Sequence, residues 1–103
     1  MGFSIETYSV ELLDLCRRHY VRCLDVFGSA ATGEMKESSD IDLLVEFDEQ
    51  VNPRRFDNYF EFLRSLEKLF GRRVDLVEAG GLRNPYFIRE VETTKRRILS
   101  ISR

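Results

Sequence analysis

A chain of 103 residues, 43% hydrophobic and 33% charged, suits one folded domain spanning 1–103 with a modest core and is too apolar to stay disordered. Its formal net charge of −2 offers no bulk attraction to nucleic acid or to an acidic membrane surface, so direct nucleic-acid binding is not expected. No apolar run reaches the length of a membrane span and Met1 to Glu6 carries no apolar signal region, which points away from membranes and leaves the cytoplasm as the expected compartment.

The first expected element is a helix over Thr7–Tyr20. Tyr8, Leu12, Cys16 and Leu13 or Tyr20 recur there at helical spacing, and Arg17, Arg18 and His19 suit the negative end of the helix dipole. Cys16 and Cys23 flank His19, but a closed structural zinc site needs a fourth ligand, so both cysteines are expected as small core residues. Val21–Phe27 is rich in β-branched residues, is closed by Gly28 and reads as a strand. Ser29 to Ser39 is small and polar, with a helical turn near its start. In the next strand, Ile41–Phe47, residues Ile41, Leu43, Val45 and Phe47 face one way and Asp40, Asp42 and Glu46 the other.

A helix is expected from Pro53 to Phe70, with Phe56, Tyr59, Phe60, Leu63, Leu66 and Phe70 as its core-facing stripe. Gly71 ends it, and Arg73 to Glu78 forms a third strand. After Gly80-Gly81 a last helix is expected from Pro85 to Leu99, turning Phe87, Ile88, Val91 and Ile98 inward. Helix, strand, turn, strand, helix, strand, helix predicts an α/β fold, a small mixed β-sheet with helices packed against it.

Chemistry concentrates in three places. Gly28 permits a sharp turn and close approach to a ligand, and Ser29 opens a helical turn whose free amides suit an anion; alone, the pair reads better as an ordinary strand-to-helix turn capped by serine. Asp40 and Asp42, two apart on a strand, project from one face. Such a pair repels itself unless a cation intervenes, and hard oxygen donors suit magnesium. Asp75 interrupts an apolar strand and needs either an arginine, with Arg73 the nearest choice, or a metal.

Gly28-Ser29, ten residues, Asp40-Ile-Asp42 and a later Asp75 together resemble the signature of the DNA polymerase β-like nucleotidyltransferases, and within them the minimal nucleotidyltransferases. The matching text is FGSAATG at Phe27 to Gly33, SDIDLLV at Ser39 to Val45 and VDLV at Val74 to Val77. The resemblance implies a polymerase β palm-like fold, with Gly28 and Ser29 holding nucleotide phosphates. It also implies that Asp40, Asp42 and Asp75 bind Mg2+, as one or two ions with Mn2+ able to substitute, Asp75 doubling as the base for the incoming hydroxyl. The implied reaction moves a nucleoside monophosphate from ATP or another triphosphate to a hydroxyl. For small family members the implied acceptor is a tyrosine of a HEPN-type toxin, the chain being the antitoxin of a two-gene module. Thr32 stands where many relatives carry arginine, removing a positive charge near the phosphates. The alternative is an antitoxin that neutralises its partner by contact, with catalysis weak or lost. A nucleic-acid role for Lys95, Arg96, Arg97 and Arg103 is the weakest reading, because cations at a helix C-terminus suit its dipole.

Overall fold

The computed structural model of the protein describes residues 4–33, 36, 39–48 and 55–101. A 3₁₀ turn, Ile5–Tyr8, leads into α1, Ser9–Arg18. There follow β1, Val21–Phe27; α2, Ser29–Thr32; β2, Ile41–Phe47; and α3, Arg55–Phe70. The chain continues with β3, Val74–Glu78; a 3₁₀ turn, Ala79–Gly81; α4, Pro85–Thr94; and β4, Arg96–Ser100. The expected helix start at Pro53 lies outside the described residues. The strands form one mixed sheet in the order β3-β2-β1-β4. β1 is antiparallel to both of its neighbours, whereas β2 and β3 run parallel. A parallel neighbour cannot be reached by a tight turn, and the segment containing α3 supplies the return path.

Alternation along the strands splits the apolar side chains between two faces. On one, Val21, Leu24 and Val26 of β1, Ile41, Leu43, Val45 and Phe47 of β2, and Val74 and Leu76 of β3 meet α1 and α3. On the other, Phe27 and Leu44 pack under Val91 of α4, and the rings of Phe27 and Phe87 meet edge-on at 5.8 Å. Cys16 is buried in the main core, which pushes its thiol up to about 12 and leaves it inert, while Cys23 is only half-buried.

The last helix ends at Thr94, not at Leu99. Asn84 caps its start by accepting the amides of Tyr86 and Phe87, with Pro85 in the first turn. At the other end, two β-branched threonines weaken the final turn, and Lys95 is extended at φ −63°, ψ 144°. Tertiary demand then decides. Without β4, the outer edge of β1 would expose a row of unpaired amides and carbonyls, and Asp25, only 5% exposed, would lack its counterion, Arg97. Within the basic run, Lys95 stands at the C-cap of α4, Arg96 and Arg97 lie on β4 instead of at a helix end, and Arg103 lies outside the described residues. Lys95 pairs with Glu92, Arg96 with Glu6 and Arg97 with Asp25. Ile98 packs against the main core, on the face opposite α4.

The stripe on α3 is also rotated from the expected one. Its buried residues are Asn58, Phe62, Leu66 and Phe70, each a little over one turn apart, with Tyr59 and Leu63 beside them. Asn58 tolerates burial because its side-chain amide donates to the carbonyl of His19 at 2.6 Å. Phe56 and Phe60 instead face solvent, 81% and 52% exposed. Too many aromatics compete along this helix for spacing alone to choose among them. Phe62→Ala should lower stability in urea unfolding by about 3–5 kcal/mol, whereas Phe56→Ala should change it by no more than about 0.5 kcal/mol. Equal losses at the two positions would contradict this assignment of faces.

Candidate active site

β1 delivers the chain to a sharp bend. Phe27, its last residue, lies opposite Asp42 of β2. Gly28 then turns at φ 66°, ψ −147°, a conformation essentially reserved for glycine. Space imposes the same choice, since a Cβ on Gly28 would lie 2.4 Å from Oδ2 of Asp42. The Gly28 carbonyl accepts the amides of Ala31 and Thr32 at 3.1 and 3.2 Å, opening α2. Ser29 and Ala30 therefore stand where a helical turn leaves its first amides without helical acceptors. Gly33 closes α2 in the left-handed conformation at φ 81°.

The carboxylates reach the same end of the sheet through strand pairing. Asp42 and Asp75 are direct partners in the parallel β2–β3 ladder, so their side chains leave one face side by side. Asp40 precedes Asp42 by two residues and adds its charge to the same neighbourhood. Partial burial, then the charges of Asp75, Asp40 and Glu90, raise the Asp42 carboxyl from its ordinary 3.8 to about 6. Asp40 and Asp75 are exposed and Asp42 is half-buried.

Among the described residues no lysine or arginine forms an ion pair with any of the three. Arg73 does not compensate Asp75; what the structure records of it at this end is a backbone link, its carbonyl accepting the Ile41 amide at 3.0 Å. Hard oxygen donors on one face, short of positive charge, fit a divalent cation of the magnesium type. Among the described residues no three acidic, histidine or cysteine side chains are gathered as a group that could hold a metal ion.

Two residues at this end carry no signal in the strand motifs. Glu90 adds a fourth negative charge near Asp42 from α4. Thr94, one turn later, has a hydroxyl that accepts the Gly28 amide at 3.0 Å and donates to the Glu90 carbonyl at 3.0 Å. A threonine at the end of an amphipathic helix normally makes only the second of these bonds, so spacing could not have revealed the first. An open groove of about 1100 Å³, lined among others by Arg22, Glu46, Arg55 and Arg83, lies at the far end of β2 and includes none of the five residues singled out from the sequence.

The raised Asp42 pKa sets a sign for stability. A carboxyl whose folded value exceeds its unfolded one makes no demand below about 4, then costs stability as pH rises towards about 6. In metal-free protein, the melting temperature of Asp42→Asn should therefore gain on that of wild type across pH 4–6 and hold its lead above. A lead that does not change with pH would refute the charge crowding.

The sequence pattern of the nucleotidyltransferase domain family matches residues 11–98. The protein adenylyltransferase MntA of Thermococcus cleftensis is 44% identical over 71 residues, 69% of each chain. A solved candidate minimal nucleotidyltransferase superposes with a TM-score of 0.74 at 37% identity, covering 89% of this chain and 90% of its own. The same fold recurs, at 17% identity and a TM-score of 0.64, in a complex of tri-AMPylated Shewanella oneidensis HEPN toxin with MNT antitoxin, covering 93% of this chain and 72% of that one. The chain belongs to the nucleotidyltransferase domain family, and within it to the minimal nucleotidyltransferases.

Proposed function

We propose that this nucleotidyltransferase moves AMP from ATP to a tyrosine hydroxyl of a HEPN-type partner, as the antitoxin of a two-gene pair. The observation that carries the reading is the in-register pair Asp42 and Asp75, with Asp42 against the Gly28 bend and neither carboxylate ion-paired to a cation among the described residues. In this reading Gly28 and Ser29 cradle the triphosphate through backbone amides, which tolerate close approach because the bend has no side chain. Asp40, Asp42 and Asp75 would hold Mg2+, as one or two ions, or Mn2+ in its place. Bound there, such ions supply charge neutralisation at the triphosphate.

Asp75, exposed and at the edge of the acidic face, takes the proton of the acceptor hydroxyl. The tyrosine oxygen bonds to the α-phosphorus, the bond from that phosphorus to its bridging oxygen breaks, and pyrophosphate leaves. The choice of acceptor draws support from the adenylyltransferase name of the Thermococcus relative and from the AMP-bearing toxin found with a chain of this fold. For a site on the protein surface, a folded partner is a reachable acceptor.

Thr32 gives a second reading its footing. It is exposed and brings no charge to the bend, as suits an antitoxin acting by contact alone. Saturating Mg-ATP separates the two, raising the melting temperature of a working enzyme by mass action and leaving a contact-only antitoxin unmoved.

The direct test incubates the protein with Mg-ATP and its HEPN-type partner and looks for AMP on tyrosine by mass spectrometry. Asp42→Asn should cut the rate by at least about 100-fold, the scale of roughly 3 kcal/mol of lost transition-state stabilisation. Asp75→Asn should also lose most of the transfer. Undiminished labelling by Asp42→Asn would remove these carboxylates from the chemistry.

A further inference from the structure

We infer that Thr94 is a positioning residue for the nucleotide-binding bend, tying α4 to Gly28 and so fixing where the bend meets Asp42. The inference rests on the proposed nucleotide-binding role of Gly28 and Ser29. Its own support is a two-bond relay. The Gly28 amide donates to Thr94 Oγ1 at 3.0 Å, and the same hydroxyl donates to the Glu90 carbonyl at 3.0 Å. A hydroxyl has one proton to give and lone pairs to accept with, so the two bonds are compatible and each fixes the direction of the other.

The Gly28 amide has a specific need for this acceptor. β1 ends at Phe27, so Gly28 lies past the β1–β2 ladder, and it precedes α2. Gly28 adopts a backbone conformation that persists only when its surroundings over-determine it. One of those surroundings is the Asp42 carboxylate, which fills the space a side chain would need. The other is Thr94. Half-buried at the end of α4, it is held in place by Val91, one turn earlier, in the cluster with Phe27 and Leu44. The packing of α4 on this face is thereby transmitted through one hydroxyl to the first residue of the bend. A valine in its place would keep the shape and lose the acceptor. The Gly28 amide would then have to seek water, and the bend would be free to rotate away from Asp42.

The test compares full-length wild type, Thr94→Val and Thr94→Ser in two measurements. Amide hydrogen exchange by NMR, without metal or nucleotide, should show the Gly28 amide protected in wild type and in Thr94→Ser. In Thr94→Val that protection should be lost while amides in the middle of β1 and β2 keep theirs. Fast exchange at Gly28 in wild type would overturn the tie, whether or not the valine variant folds. Calorimetric titration with Mg-ATP should then show Kd weakened about five- to tenfold in Thr94→Val and restored in Thr94→Ser, matching the loss of one hydrogen bond. A purely structural threonine would lower the melting temperature and leave Kd alone, and that result would overturn the positioning role. Wild type that fails to bind Mg-ATP would sink the proposed nucleotide-binding function and the positioning role with it, whereas the exchange data would still decide whether Thr94 holds the bend.

Discussion

Negative charge held in register across a parallel strand pair is the constraint around which this protein is arranged. The β2–β3 ladder places Asp42 beside Asp75, and Asp40 and Glu90 add to the same field. A sheet bears such crowding only where its edge meets water, or where a counterion arrives. The first condition holds at the start of β2, where Asp40 and Asp75 are exposed; under the proposed function a divalent cation would meet the second. The apolar layers beneath, Ile41, Leu43 and Val45 against α1 and α3, supply the rigidity that keeps like charges adjacent.

Much of this was legible in the residues because it depends on short periods. Alternation along Ile41–Phe47 separated the core face from the acidic one, and the glycine-serine step followed by Asp-Ile-Asp marked the end of the sheet where the Gly28 bend meets Asp42. The placement of Asp75 beside Asp42 was conditional on strand order, which no local pattern states. Pairing in the fold settles that register, while the roles of the five residues rest on the proposed function.

What stayed hidden depended on distant partners. Arg96–Ser100 fits a helical period as readily as an extended one, and only the open edge of β1 with its buried Asp25 selects the strand. Along α3, the expected stripe takes in Phe56 and Phe60 and passes over Phe62, which is buried because it meets Phe47 and His19 across the core. Thr94 was invisible for the same reason. Its significance lies in an amide 66 positions away in sequence.

The exposure of Asp40 and Asp75 has a bearing on selectivity. Among the described residues, a ledge of this kind offers few walls with which to read the shape of an incoming molecule. Under the proposed function, discrimination among acceptors would then come from outside the reacting atoms, from the fit of two folded surfaces that bring one hydroxyl over the ledge and hold every other away.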